Sequence, residues 1–496
     1  MMVSGGLDIG STGCKITVYD EEGRYLYRIY RDYPVSRSVG EHEVRAEDIR
    51  EGVCGVLKDA GARSPGLRAL GVTSFGESCV LLDREDRPIR PVMLYTDPRG
   101  SEECRELTER LGKEYLEQVT GAAPHSMYSM PKLMWIRKHC PEDYARTERI
   151  LMMEDYILYL LTGQAVIDYS LAARSMAFDI RASCWSREIF DAAGINPGLF
   201  SEPVPAGSGP YRIRADRAEE LGLSPELIVV PTGHDQVAAA IGSGVFRAGQ
   251  AVDGAGTVEC ITPVFSGIPE DRQFYDSGYA VIPYVTPGDY VTYAFSFTGG
   301  ALVSWFIQNC AKAEKSLAAE QGKSVYEILE EGMKEDPTGI LVLPHFAGAA
   351  TPYMDEGARG AVVGLTVCHN VSDLYRAMME GVVYEMMLNM EHLRGAGICP
   401  EKLRAAGGGA ASGVWMQMKA DMLNLPIVSL GNAEAGAAGC AMTAGVAAGL
   451  FRDLEEAASA LIREKETYFP RSGMHEAYEA HYQRYRKLYG AVRPLM

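Results

Sequence analysis

The stretch that most constrains this chain is its opening, Gly6-Leu7-Asp8-Ile9-Gly10-Ser11-Thr12-Gly13-Cys14-Lys15-Ile16-Thr17-Val18-Tyr19-Asp20. Apolar residues flank a small Gly/Ser/Thr centre, and Glu21-Glu22-Gly23 follows as a turn. The segment therefore reads as strand, tight turn, strand. The apolar style returns in Leu70-Gly71-Val72-Thr73 and Val80-Leu81-Leu82-Asp83, and helical patterns follow over Lys132 to His139 and Met153 to Leu161. Strands interleaved with helices predict an α/β architecture. Near Val229-Val230-Pro231 another buried strand runs into Thr232-Gly233-His234-Asp235-Gln236, and an Ala-rich helix follows over Val237 to Ile241. The Gly242-Ser243-Gly244 punctuation after it is a candidate domain boundary, since 496 residues exceed one ordinary core. Gly249 to Phe265 then resembles the opening segment, with a Gly254-Ala255-Gly256-Thr257 turn between two strands. Two readings stand side by side: a degenerate internal duplication, each half starting on a phosphate-facing hairpin, or a hairpin of the sort any α/β protein contains.

Composition removes several function classes. The net charge is -18, from 48 basic and 66 acidic residues, and no basic stripe is visible, which argues against a nucleic-acid partner. An acidic surface repels a nucleotide, so a nucleotide site would have to supply its own donors and a metal. The 11 cysteines are scattered singly from Cys14 to Cys440 without CxxC spacing, the pattern of reduced thiols. The nine histidines form no HxH or HExxH cluster, which argues against a structural zinc. No apolar stretch approaches the ~18 residues of a membrane span. Met1 to Gly10 has neither a basic region nor an apolar h-region, so a cytoplasmic location is expected.

Four segments carry chemistry, each beside a plainer reading. In the Asp8 to Lys15 hairpin, small residues let backbone N–H groups approach a phosphate, Ser11 and Thr12 add hydroxyls, and Asp8 could hold Mg²⁺ through water. Alone, such a turn is usually only a turn. Asp235 follows a buried strand and begins a helix, whose N-terminus favours an ionised carboxylate able to take a proton from a hydroxyl. The commoner job for an Asp there is helix capping. Gly407-Gly408-Gly409 before a helix suits a flat ligand or its phosphates, or is a flexible loop. Glu77, Asp97 and Arg99 lie at predicted strand ends, where α/β ligands bind, or form surface ion pairs. Tyr478, Tyr482, Tyr485 and Tyr489 form a helical stripe suited to core packing. The chain has no Walker A loop, and Gly71 to Gly76 misses the hydrolase elbow spacing.

Taken in order, these segments resemble the FGGY carbohydrate kinases nearly end to end. Gly6 to Thr12 looks like the first phosphate motif, and Gly233-His234-Asp235-Gln236 like the catalytic-base motif. Ser129, Lys132, Trp135 and Ile136 fit one family signature, and Gly364, Leu365, Asp373, Ala377 and Glu380 the other. Leu343 to Gly348 with Thr351-Pro352, and Glu434 to Gly439, fit the stretches around the second signature and the late helix start. The resemblance implies two actin-like (ribonuclease H-like) domains, residues 1–243 and 244–496, with a deep catalytic cleft between them. It implies Asp235 as general base and Asp8 as the magnesium-side carboxylate. It implies Thr12, Gly13, Gly256 and Thr257 along the phosphates of ATP, and Gly408, Gly409 and Ala410 near the nucleoside. Ser11, Lys15 and Gly299 complete the nucleotide set.

The sugar side departs from any single branch of the family. Phe75-Gly76-Glu77 stands where xylulose kinases typically show Gln-Met-His and glycerol kinases Gln-Arg-Glu. Tyr95-Thr96-Asp97-Pro98-Arg99 looks like the Trp-Asn-Asp-x-Arg of xylulose and related kinases, whereas Gln236 resembles glycerol kinases. The expectation is a Mg-ATP-dependent kinase for a ketopentose or related sugar, with Glu77, Asp97, Arg99, Asp235 and Gln236 on its hydroxyls. A glycerol or polyol kinase and a non-catalytic sugar sensor are the alternatives. Relatives of this kind include homodimers, and no residue here marks an interface.

Overall fold

The computed structural model describes residues 3–431 and 434–496; Met1, Met2, Asn432 and Ala433 lie outside it. The opening segment forms the predicted hairpin, β1 (Val3–Ile9) and β2 (Gly13–Tyr19), and β3 (Tyr25–Asp32) continues it antiparallel. On its other side β1 pairs in parallel with β4 (Leu67–Ser74), which pairs in parallel with β5 (Ile228–His234). The helix α1 (Asp235–Gly242) leaves directly from β5.

The second sheet repeats this connectivity. β6 (Gln250–Ala255) and β7 (Glu259–Ser266) form an antiparallel hairpin, and β8 (Asp289–Val291) adds antiparallel to β7. β6 pairs in parallel with β9 (Lys402–Ala406), which pairs in parallel with β10 (Ile427–Leu430). In both sheets the hairpin's first strand is central, with the antiparallel arm on one side and two parallel strands on the other. The duplication reading of the two Gly-rich turns therefore holds at the level of topology. Between the paired elements of the second half run α2 (Gly300–Cys310) and α3 (Gly413–Leu423), and after β10 comes α4 (Ala435–Ala447).

Helix α4 comes late in the chain, yet it lies across the first sheet, on β1, β4 and β5, and crosses α1. Its sequence, AGAAGCAMTAGVA, explains how: small side chains let backbones touch. A Cβ on Gly6 would collide with the Ala437 carbonyl, and one on Gly71 with the Cys440 carbonyl. At the α1 crossing, a Cβ on Gly242 would strike the Ala435 carbonyl, and one on Gly439 the Ala238 carbonyl. These contacts bring Asp8 at the end of β1, Asp235 at the start of α1 and Gly436 at the start of α4 to one place.

Several residues of the family signatures do structural work. Lys132 is buried and donates to the carbonyls of Ser126 (2.7 Å) and Met127 (3.1 Å). Asp373 closes a capping box with Asn370 at the head of the helix Val371–Gly395. Glu380 accepts from Arg376 (2.9 Å) and from the Thr338 hydroxyl (2.7 Å). The tyrosine stripe is core, as expected: Tyr478, Tyr482 and Tyr485 pack on Tyr384. The helix that carries them stops at Tyr485, and Tyr489 belongs to the next short helix. Among the described residues no helix is long and apolar enough to cross a membrane.

The α4 packing gives a direct expectation. Gly6→Val forces a branched side chain into a backbone contact, and overpacking of this kind costs about 1–3 kcal/mol or more. The thermal unfolding midpoint should fall by several degrees, whereas Val at the exposed Gly473, where the backbone φ is ordinary and an added Cβ meets nothing, should shift it less. An unchanged midpoint for Gly6→Val would refute the backbone contact.

Candidate active site

The strand β5 does not run straight into α1. Its register with β4 shifts between Pro231 and Gly233, where Gly233 takes φ +109° and an added Cβ would also collide with Ser170 and Asp168. The freed backbone donors are met by a buried carboxylate. Glu154, from the helix Met153–Thr162, accepts the N–H of Thr232 (2.8 Å) and of Gly233 (2.5 Å) through one oxygen. The Ser170 hydroxyl accepts the His234 N–H (3.0 Å) and itself donates to Asp168. Burial pushes the Glu154 carboxyl well above the usual range, with the Asp168 charge adding to the rise, and pushes Asp168 up to about 6 against the hydrogen bonds it accepts. This acidic floor escaped sequence reading. Its trace was the Glu154-Asp155 pair inside an otherwise apolar helix.

Asp235 is the first residue of α1, one place past the cap position, which is held by His234. It is therefore not a capping residue. A third of its side chain is exposed. Protein surrounds the carboxyl closely enough that desolvation pushes it up to about 6, against the pull of the Gln236 donors, Arg174 and Lys15. The helix N-terminus was expected to favour the ionised form, and desolvation outweighs it. Gln236 sits half-buried beside it.

On the sugar side, Glu77 is 4% exposed and holds φ +64°, a left-handed conformation unusual for a residue with a side chain. Its Oε1 accepts both Nε (2.5 Å) and Nη2 of Arg174. Arg174 in turn lies over the rings of Tyr128 (5.1 Å) and Tyr293 (5.8 Å). Gly76 leaves room for this group, since a Cβ there would stand 3.1 Å from both Arg174 Cγ and His234 Cδ2. Arg174 was not among the sequence candidates, although a lone cation in the run Leu171 to Phe178 was a usable signal.

Asp97 and Arg99 are engaged elsewhere. Asp97 Oδ1 accepts from the Arg99 backbone (3.0 Å) and Nε (2.8 Å), and Oδ2 from Arg99 Nη2 (2.6 Å) and the His42 N–H (2.8 Å). A carboxylate offers about four acceptor positions. All four of Asp97's are filled, and Arg99 also pairs with Glu43 (2.5 Å) and stacks on Trp135 (5.1 Å). The pair is largely buried, and against that desolvation the hydrogen bonds from Arg99 and the His42 N–H, with the Arg99 charge, hold Asp97 below the usual carboxylate range.

At the first turn, Gly10 N–H donates to Gly13 O (2.9 Å), with Ser11 half-buried and Thr12 exposed at the tip. Gly13 is required because a Cβ would run into Tyr30. Lys15 binds Asp8 (3.1 Å) and Glu434 (2.8 Å), and Arg28 braces Glu434 (3.0 Å). Burial raises the Asp8 carboxyl, Lys15 lowers it, and Asp235 raises it further, so the two acids sense each other.

The second turn opens on a cavity of ≈ 940 Å³ walled by Gly256, Thr257, Trp305, Tyr326, Gly408 and Gly409, among others. Gly299 closes the turn onto α2 through its N–H to Thr257 O (3.0 Å). Gly407 holds φ +98° against the Ala255 carbonyl, and Ala410 is buried behind the wall. Beneath the cavity floor, Lys419 of α3 binds Asp253 (2.7 Å) and Glu259, the residues flanking the turn, under the ring of Trp415 (5.1 Å).

The structure thus brings together two glycine turns, the carboxylates Asp8 and Asp235 near the first turn, and a large cavity on the second. The N-terminal domain of the FGGY family of carbohydrate kinases matches residues 3–242, and its C-terminal domain matches residues 266–448. The chain belongs to the FGGY family of carbohydrate kinases. This kinase is 26% identical over 498 residues to a xylulose kinase of Bacillus subtilis (strain 168), covering 99% of this chain and 97% of the relative. It is 28% identical to a glycerol kinase of Polaromonas naphthalenivorans (strain CJ2), covering 94% of each chain. A solved xylulose kinase from Rhodospirillum rubrum superposes with a TM-score of 0.87 at 25% identity over 99% of both chains. The two-domain actin-like fold and the phosphotransferase class expected from the sequence both hold, with ATP as the family's phosphoryl donor.

The acidic floor can be tested on this kinase directly. Glu154→Ala strands two buried backbone donors and should lower stability by about 2 kcal/mol or more. Glu154→Gln keeps a carbonyl acceptor and resembles the protonated acid, so denaturant unfolding should find it closer to wild type. Equal losses in the two variants would contradict the acceptor role.

Proposed function

We propose that this kinase transfers the γ-phosphoryl group of ATP to a hydroxyl of a small sugar, a ketopentose such as xylulose or a close relative, with Asp235 as general base. The observation that carries the reading is Asp235 itself: a carboxylate pushed up to about 6, at a strand-to-helix junction, within electrostatic reach of Arg174, Lys15 and Asp8. A base tuned toward neutral pH can take a hydroxyl proton and pass it on. The xylulose kinase similarity supports the ketopentose assignment. On this reading the chain divides near Ser243, with the base and sugar in residues 1–243 and the nucleotide in residues 244–496.

Glu77, Asp235 and Gln236 form the sugar-facing set. Arg174 neutralises Glu77 on one oxygen, and no described residue donates to the other, which is left to accept from a sugar hydroxyl. Asp97 and Arg99 are better assigned to holding the loop that carries Tyr95. The acceptor hydroxyl loses its proton to Asp235 while its oxygen attacks the γ-phosphorus in line, and ADP departs. Thr12, Gly13, Gly256, Thr257 and Gly299 approach the phosphates, with Ser11 and Lys15 beside them. Gly408, Gly409 and the Ala410 loop border the nucleoside. Asp8 is the carboxylate suited to magnesium. Among the described residues no three acidic, His or Cys side chains are placed to hold a metal ion together, so a divalent ion would draw most of its ligands from phosphate and water, as Mg²⁺ does. Bound there, magnesium would offset phosphate charge. Glycerol or another polyol is the second reading, favoured by Glu77 and Gln236 and by the glycerol kinase similarity.

Magnesium-dependent ADP release, measured against a panel of ketoses, aldoses and polyols, should single out a ketopentose. A strong response to glycerol alone would turn the assignment to the second reading. Asp235→Asn should lower turnover at least a hundredfold, about the size of general-base assistance, with nucleotide affinity nearly unchanged. In wild type, kcat should fall as pH drops through about 6, where the carboxyl protonates and can no longer accept the proton. A kcat flat across that range would remove Asp235 from the role.

A further inference from the structure

The imidazole next to the base is held in a way the phosphoryl-transfer reading does not use. His234 is 7% exposed, and its Nδ1 lies 2.8 Å from the hydroxyl of Tyr293, with the two rings stacked at 5.4 Å. Its Nε2 lies 3.4 Å from Asp235 Oδ1. Tyr293 comes from the second sheet, between β8 and the strand Ala294–Ser296, so a residue of one half of the chain fixes a ring of the other.

We propose that Tyr293 and His234 are positioning residues for the base: Tyr293 sets which imidazole nitrogen carries the proton, and His234 then presents an Nε2–H to Asp235 Oδ1. The inference rests on the reading of Asp235 as base. Its geometry is a three-member chain, hydroxyl to Nδ1 and Nε2 to carboxylate. That is the ordering by which a third group orients an acid–base pair.

The protonation states are mutually consistent. Desolvation pushes His234 down to about 3, with Arg174 adding to the fall and Glu77 opposing it, so the ring is neutral and one nitrogen alone bears hydrogen. Burial keeps the Tyr293 phenol protonated. A phenol that donates to Nδ1 leaves the ring hydrogen on Nε2, facing the carboxylate. The charged groups around the ring are Arg174, Glu77 and Asp235, and the first two neutralise each other. With Oδ1 turned to the imidazole, Oδ2 is the oxygen left for the acceptor hydroxyl. At 3.4 Å the Nε2 contact is longer than a good hydrogen bond, and a shift of a few tenths of an ångström closes it.

The test combines a spectroscopic and a kinetic reading on the full chain. Nitrogen-15 spectra of ring-labelled histidine, with His234 assigned by its loss in His234→Gln, should show His234 as the Nε2–H form. Tyr293→Phe should convert it to a tautomer mixture. With D-xylulose and, separately, glycerol as acceptor, Tyr293→Phe should lower kcat about tenfold with the KM for ATP unchanged. An Nδ1–H ring in wild type overturns the proposal. So does a Tyr293→Phe enzyme that keeps its tautomer, or one that raises only the KM of the acceptor, which would make the pair a sugar contact. The spectra need no substrate, so they separate the two failures. Full turnover in Asp235→Asn with an Nε2–H ring removes the base and leaves the orienting chain without a function. An Nδ1–H ring in an enzyme that needs Asp235 removes the orienting chain alone.

Discussion

The structure depends on a contact between backbones. Helix α4 can lie on β1 and β4, and cross α1, only because Gly6, Gly71, Gly242 and Gly439 offer no Cβ at the points of touch. This close approach joins the last third of the chain to its first strand. It also delivers Glu434 and Gly436 to Lys15 and Asp8. The stabilisation is dispersion and burial spread over many small contacts, and it weakens when any one of them is widened. The site inherits its geometry from that packing, since Asp8, Asp235 and Glu434 stand on three elements that meet there.

Charge is the second constraint. Asp8, Asp235, Glu434 and Glu77 gather in one region of a chain whose net charge is already -18. Three cations balance them locally: Lys15 between Asp8 and Glu434, Arg28 on Glu434, and Arg174 on Glu77. A nucleotide approaching this surface gains nothing from long-range attraction. On the proposed reading, its binding comes from short-range donors at the glycine turns and from contact within the cavity. Under that cavity, the Asp253–Lys419–Glu259 group ties the second turn to α3.

The parts that were legible in the sequence are those whose chemistry lies within their own string. Both hairpins, the strand-to-helix junction at Asp235 and the Gly407 to Gly409 loop are short local patterns, and the repeat of the hairpin foreshadowed the repeated sheet. The parts that were not legible depend on partners far away in the chain. Arg174 meets Glu77 across 97 positions, Glu154 meets Thr232 across 78, and Tyr293 meets His234 across 59. No periodicity reports such pairings. Asp97 and Arg99 depend on the same kind of distant partner. They sit at a strand end, where ligands often bind, but four protein donors saturate the carboxylate. Strand-end position says where a side chain is, and only the inventory of its partners says whether it is free.

The reach of α4 also bears on the order in which the chain can be completed during synthesis. Domains generally fold as they emerge, N-terminal first. Here β1, β4 and β5 are finished by residue 234, but the helix that covers one face of them spans Ala435–Ala447. Until some two hundred further residues have left the ribosome, that face of Gly6, Gly71 and their apolar neighbours has no cover. The nascent first sheet is therefore an incomplete body, exposed to chaperones and to its own copies, and it is closed only when nearly the whole chain exists.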